Sequence, residues 1–202
     1  MSAPSTRSAR NPLSASGDIR VWDRFVRVFH WSVVALFVIA FITQDAFDTL
    51  HQAAGYGILA LVLVRILWGF IGSGHARFRN FLASPRKVAS FLLASARLKA
   101  PRYIGHNPAG GAMVIALLAL LLVITTSGIL QTLDALSDQG WIEDLHEGAV
   151  LITLGLIGLH LVGVLVASLE HRENLVRALV TGRKRAPAPT SAEPLPHSTT
   201  KD

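Results

Sequence analysis

Four histidines carry the chemistry that this sequence can do. His30, His51, His146 and His160 fall inside or at the rim of long apolar runs. An ionisable side chain in hydrocarbon costs about 2.5 kcal/mol or more, so each needs a partner or a task. Imidazole is the commonest metal ligand among side chains. His146 and His160 are 14 residues apart. On a helix of 3.6 residues per turn that spacing returns to one face within about 40° and separates the rings by about 21 Å along the axis. A single helix would then offer two imidazoles at two depths. Taken singly, each histidine could equally be a hydrogen-bonded packing residue.

Charge-free intervals locate the elements that must position them. The spacing of charges predicts four membrane-spanning helices over about 25–45, 51–72, 109–131 and 146–169. At 1.5 Å per residue each can cross a hydrocarbon core of about 30 Å. Ser84-Pro85 reads as an N-cap followed by proline at the first helical position. A short surface helix is expected over about 85–98, with Val88, Phe91, Leu92 and Ser95 on one face. The predicted membrane domain covers 21–182, between N-terminal (1–20) and C-terminal (183–202) tails expected to be disordered. The fold class expected is all-α, an integral membrane four-helix bundle.

Depth then pairs the histidines. The first helix runs outward and the second and fourth run inward. His30 and His160 therefore fall in the inner half, and His51 and His146 near the outer surface. His30 sits somewhat closer to the inner boundary than His160. Each pair could hold one iron axially between helices, as bundles build cofactor sites from facing side chains. Arg65 follows His51 by the same 14 residues that separate His146 from His160. It should lie at the inner level, where a cation could pair with haem propionates. Its other reading is an arginine snorkelling to the interface. Gly55 and Gly57 follow His51, and Gly148, Gly155, Gly158 and Gly163 interleave with the last two histidines. Small residues there admit a flat macrocycle, or serve ordinary helix packing. His75, His106, His171 and His197 read as solvated or interfacial.

Composition narrows the class. The chain has 202 residues, 51% hydrophobic and 16% charged. It has no cysteine, which excludes disulfides, thiolate zinc sites, iron–sulfur clusters and thioether-linked haem. Apart from Arg65, every Lys and Arg falls on the side of the two termini. The other side carries Asp45, Asp48, Asp134, Asp138, Glu143, Asp144 and Glu147 with no cation. That asymmetry predicts both termini in the cytoplasm and explains the net charge of +6 by a membrane surface instead of nucleic acid. The N-terminal stretch lacks the apolar core of a cleaved secretory signal.

With these residues in view, the chain resembles the bacterial cytochrome b561 and nickel–iron hydrogenase b-type cytochrome superfamily. The matching blocks are VWDRFVRVFHW from Val21, RILWGFIG from Arg65, HARF from His75, GHNPAGG from Gly105, LHEGAV from Leu145 and GLHLVGVLVASLEHRENLVRALVTG from Gly158. The HNP and HRENL blocks are most similar to the hydrogenase-type branch. The resemblance implies two b-type haems per chain, with His30, His51, His146 and His160 as axial ligands and Arg65 near the propionates. It implies a bacterial inner-membrane protein in respiratory electron transport. The expected partners are a separate redox protein (a dehydrogenase, a hydrogenase or a soluble cytochrome) and the quinone pool. Two other classes stay open: an oxidoreductase passing electrons from a small molecule such as superoxide to quinone, and a haem-free anchor or transporter.

Overall fold

The apolar runs become helices because a chain in hydrocarbon must satisfy every backbone donor and acceptor within itself. The computed structural model of the protein describes residues 18–44, 46–72, 76–133, 135–136 and 139–185. Most of both predicted tails, together with Asp45, His75, Asp134, Asp138 and His197, lies outside the described residues. Six α-helices follow in order: α1 (Arg24–Thr43), α2 (Asp48–Ile71), α3 (Pro85–Ala96), α4 (Pro108–Gln131), α5 (Gly140–Glu170) and α6 (Leu175–Thr181). Of these, α1, α2, α4 and α5 are long and apolar enough to cross a membrane. The chain is an all-α membrane helical bundle.

Caps mark the starts. Asp23 Oδ1 accepts from the Val26 amide at 2.7 Å, and its Oδ2 accepts from the Trp68 indole at 3.1 Å. One carboxylate thus caps α1 and ties it to the end of α2. Asn107 caps α4 by accepting from the Gly110 amide at 2.7 Å, with Pro108 at the first helical position.

The extensive packings run from α1 to α2, from α2 to α4 and from α4 to α5. The core joins Ile58 and Val62 of α2 to Leu118 and Leu121 of α4, with Phe29, Val33, Leu36 and Phe37 of α1 packed against them. Leu63, Leu67, Leu161 and Leu165 stay exposed. In water such surfaces would aggregate; in a bilayer they face lipid. Gly111 permits a close approach of α4 to the preceding loop, since a Cβ there would meet the Phe81 carbonyl oxygen at 2.6 Å.

The structure moves several expected boundaries. α5 begins at Gly140, well before residue 146, and α2 begins at Asp48. Their first turns carry Glu143 and Asp48, acids favoured by the positive end of the helix dipole. Both helices therefore run out of the hydrocarbon into the headgroup layer. Residues 18–20 and 183–185, assigned from sequence to the tails, form an antiparallel ribbon of β1 (Asp18–Arg20) and β2 (Arg183–Arg185), with Ile19 opposite Lys184. α3 ends at Ala96, with Phe91 buried and Leu92 and Leu93 exposed.

Lys184 is buried in that ribbon, with Nζ 3.4 Å from the Tyr103 carbonyl oxygen. Burial holds its amine below the ordinary 10.5; Glu173 opposes that shift and Arg102 adds to it. A lysine whose folded value is depressed destabilises the fold at neutral pH and is relieved as pH rises toward the unfolded value. The melting temperature of the native protein minus that of Lys184→Met is therefore expected to increase between pH 7 and about 10. A difference independent of pH in paired thermal melts would show that the amine is not desolvated.

Candidate metal centre

His51 lies one turn into α2 and His146 two turns into α5, so both project at the end of the bundle opposite the start of α1. Their ring centroids are 6.2 Å apart, with planes inclined at 61°. Two imidazoles bound end-on to opposite sides of one metal put their centroids about 6 Å apart, given a metal–nitrogen bond of about 2.0 Å. The separation fits a shared metal and is too wide for stacking on each other.

The far nitrogens are fixed. His51 Nδ1 donates to the Ala40 carbonyl at 2.9 Å, and His146 Nδ1 donates to the Ile124 carbonyl at 2.9 Å. A carbonyl can only accept, so each ring holds its proton on Nδ1 and keeps a lone pair on Nε2. This is the orientation that ligating histidines adopt. Ser127 Oγ stands 3.3 Å from His146 Nδ1, and a Cβ on Gly128 would meet that ring at 3.2 Å.

A cavity of about 430 Å³ opens around the pair. All four spans line it, through Phe37 of α1, Gly55 of α2, Gly128 of α4 and Val150 of α5 among others. Its wall is mainly apolar, with Gln44, Gln52, Tyr56, Thr125, Thr132 and Glu147 as polar members beside the two histidines. A Cβ added at Gly55 would meet nothing within 4 Å, and the same holds at Gly148, Gly155 and Gly158. Gly55 stands one turn from His51 on the same face and lines the cavity, whereas Gly155 and Gly158 are exposed on the side of α5 turned away from His146 and His160.

The two other candidate histidines, His30 and His160, lie toward the opposite end of the bundle. His160 of α5 lies within electrostatic reach of His30 of α1. His30 Nδ1 is buried without a hydrogen-bond partner, and the ring meets Trp31 edge-on at 5.2 Å. Arg65 is 2% exposed, deep on α2. Its Nη2 donates to the Ala76 carbonyl at 3.3 Å, and its Cζ lies 5.3 Å from the Phe78 ring centroid. Asp23 is within its electrostatic reach, yet Nη1 is buried with no partner. Burial contradicts a simple snorkelling role, because the head group does not reach water. His106 packs between Trp22 at 4.7 Å and Phe81 at 4.6 Å, an aromatic setting that its place in a basic loop did not signal.

Among the described residues no group of three or more His, Cys, Asp or Glu could hold a metal. Two imidazoles supply only two ligands, so the remaining positions on an iron must come from a macrocycle such as haem. The orphaned nitrogens of His30 and Arg65, the fixed tautomers of His51 and His146 and the open space at Gly55 all fit that group.

Sequence reasoning missed the carbonyls of Ala40 and Ile124, Ser127 and Gly128. The small and polar stretch Thr125-Thr126-Ser127-Gly128 after a long apolar run is the signal that could have found the α4 members of this set.

Four spans with imidazoles facing each other across an interhelical cavity define a membrane haem protein of the cytochrome class. Residues 21–182 match the family model described as prokaryotic cytochrome b561, and the chain belongs to that family. It is accordingly a b-type cytochrome of membrane electron transfer, in a multi-pass bacterial membrane protein. No curated protein and no solved structure matches the chain.

Proposed function

We propose that the chain holds two b-type haems and carries electrons between a separate redox protein and the quinone pool or another carrier. His51 and His146 would hold the outer haem, and His30 and His160 the inner one. The observation that carries the reading is the outer pair: two imidazoles 6.2 Å apart, each tied through Nδ1 to a carbonyl. When bound, haem supplies a reversible one-electron couple at its iron.

The chain's own residues do the rest. Two imidazoles at each level would hold each iron and leave no ligand position open to oxygen, which keeps the site a conduit. The Ala40 and Ile124 carbonyls raise the basicity of the outer ligands and hold their rings in place. Phe37, Ile58, Ile124 and Leu154 keep bulk water from the outer cavity. Arg65 would offer Nη1 to a propionate, and Gly55 leaves room for a macrocycle beside His51. The cation-rich end, with both termini, faces the cytoplasm. The acidic end faces outward, toward a donor or acceptor.

The function is tested in liposomes loaded with ferricyanide and reconstituted with the purified protein. External reductant should reduce the internal ferricyanide at a rate proportional to protein. A rate equal to that of protein-free vesicles would overturn the conduit reading.

A further inference from the structure

A second cavity, of about 520 Å³, lies at the other end of the bundle, outside the histidine sites. Arg24, Arg27, Val28, Trp31 and Ser32 of α1 line it, with Val180 of α6 opposite. The first four stand at positions i, i+3, i+4 and i+7, so they share one helix face. No acidic residue lines the groove. The Arg27 guanidinium donates from Nη2 to the Val180 carbonyl, which fixes its plane, and its Nε is buried with no partner. Arg24 is exposed and makes no hydrogen bond or ion pair among the described residues. The neighbouring Asp23 turns its two oxygens to the Val26 amide and the Trp68 indole.

The order of chemistry along this face follows that of a phospholipid. Two guanidiniums lie at the helix start. Trp31, 44% exposed, stands about 10 Å deeper, at the level where indoles settle between headgroups and acyl chains. Beyond it α1 exposes Val34, Val38 and Ile42. A phosphate near Arg24 and Arg27 would be continuous with an acyl chain along that apolar stripe. A free anion uses only the mouth of such a groove.

We propose that this groove binds the headgroup of one anionic phospholipid, with Arg24 and Arg27 on the phosphate and Trp31 at the glycerol level. The leaflet is the cytoplasmic one, which rests on the orientation proposed above. Basic pockets on the cytoplasmic side of membrane helices bind anionic lipid in this way. The bound lipid would pin the start of the helix that carries His30.

The test uses the full-length protein in non-ionic detergent. Native mass spectrometry measures retention of phosphatidylglycerol against phosphatidylcholine, and the absorption spectrum serves as an independent check of the fold. Retention of one phosphatidylglycerol is expected, weakened about five-fold per arginine in Arg24→Gln and in Arg24→Gln/Arg27→Gln. Arg24→Gln leaves the Arg27–Val180 contact intact, so the proposal does not depend on a variant that removes a contact of α6. Equal retention of the two lipids, unchanged retention in Arg24→Gln, or displacement by millimolar inorganic phosphate would each overturn it. Any of these outcomes with a normal haem spectrum leaves the electron-transfer reading standing.

Discussion

His146→Ala is expected to leave the protein with half its haem, and His51→Ala should lose the same half. Each outer ligand is held by one carbonyl, and neither ring has a substitute among the residues lining the cavity. Removing one imidazole leaves a single axial bond, and removing the second then costs little more. The double variant His51→Ala/His146→Ala should therefore retain as much haem as either single one. This non-additivity is the signature of residues acting as a unit. By contrast, His30→Ala/His146→Ala takes one ligand from each level and should retain almost none. Pyridine haemochrome assays of the purified variants, normalised to protein, read the outcome. Loss of all haem in His51→Ala/His146→Ala would show that the two do not share one site.

Arg65→Met should lower the midpoint potential of one haem and leave the other in place. A buried cation favours the form of a nearby site that has gained an electron. Hydrogen bonds to charged groups are worth about 1.5 kcal/mol or more, which puts the shift on the order of 50 mV for a one-electron couple. The component that moves should be the one that survives in His146→Ala, because Arg65 is proposed to serve the haem held by His30 and His160. Arg65 also bonds the Ala76 carbonyl and lies near Asp23, so its loss loosens the end of α2. Arg65→Lys separates the two effects: it keeps the charge and should recover most of the potential. Potentiometric titration followed in the haem bands decides. A shift confined to the component absent from His146→Ala would move Arg65 to the outer site.

The bundle was legible because its physics is written in one dimension. Long apolar intervals free of charge read as spans, and four helices of that length and apolarity form. The four histidines stood out for the same reason, as polar groups at depths that punish them. Helix ends were less legible. Charge-free intervals stop at Glu147, whereas α5 continues back to Gly140 because Glu143 and Asp144 sit in its first turns, outside the hydrocarbon. α6 carried its own signals, the Asn174 cap and the left-handed Gly182 at its end, in a segment that reads as basic tail. The ribbon was invisible, since strands of three residues hold too few positions to display a period.

The site divides in the same manner. Which histidines matter follows from helix geometry, so the pairing of His51 with His146 is a one-dimensional inference that the fold can satisfy. The carbonyls of Ala40 and Ile124 are different. They belong to neighbouring helices, 11 and 22 residues from the rings they hold, and become partners only through helix packing. Backbone carbonyls have no residue type to betray them. The lipid groove is intermediate: Arg24, Arg27, Val28 and Trp31 share a face by spacing alone, but Val180 reaches it only because the chain returns through α6.

The most direct measurement is the haem content of the purified native protein, taken from its reduced-minus-oxidised absorption spectrum against chain concentration. About two b-type haems per chain are predicted, one for each proposed pair of imidazole ligands. One haem per chain would remove one of the pairs, and a preparation without Soret absorption after haem-sufficient expression would contradict the account entirely.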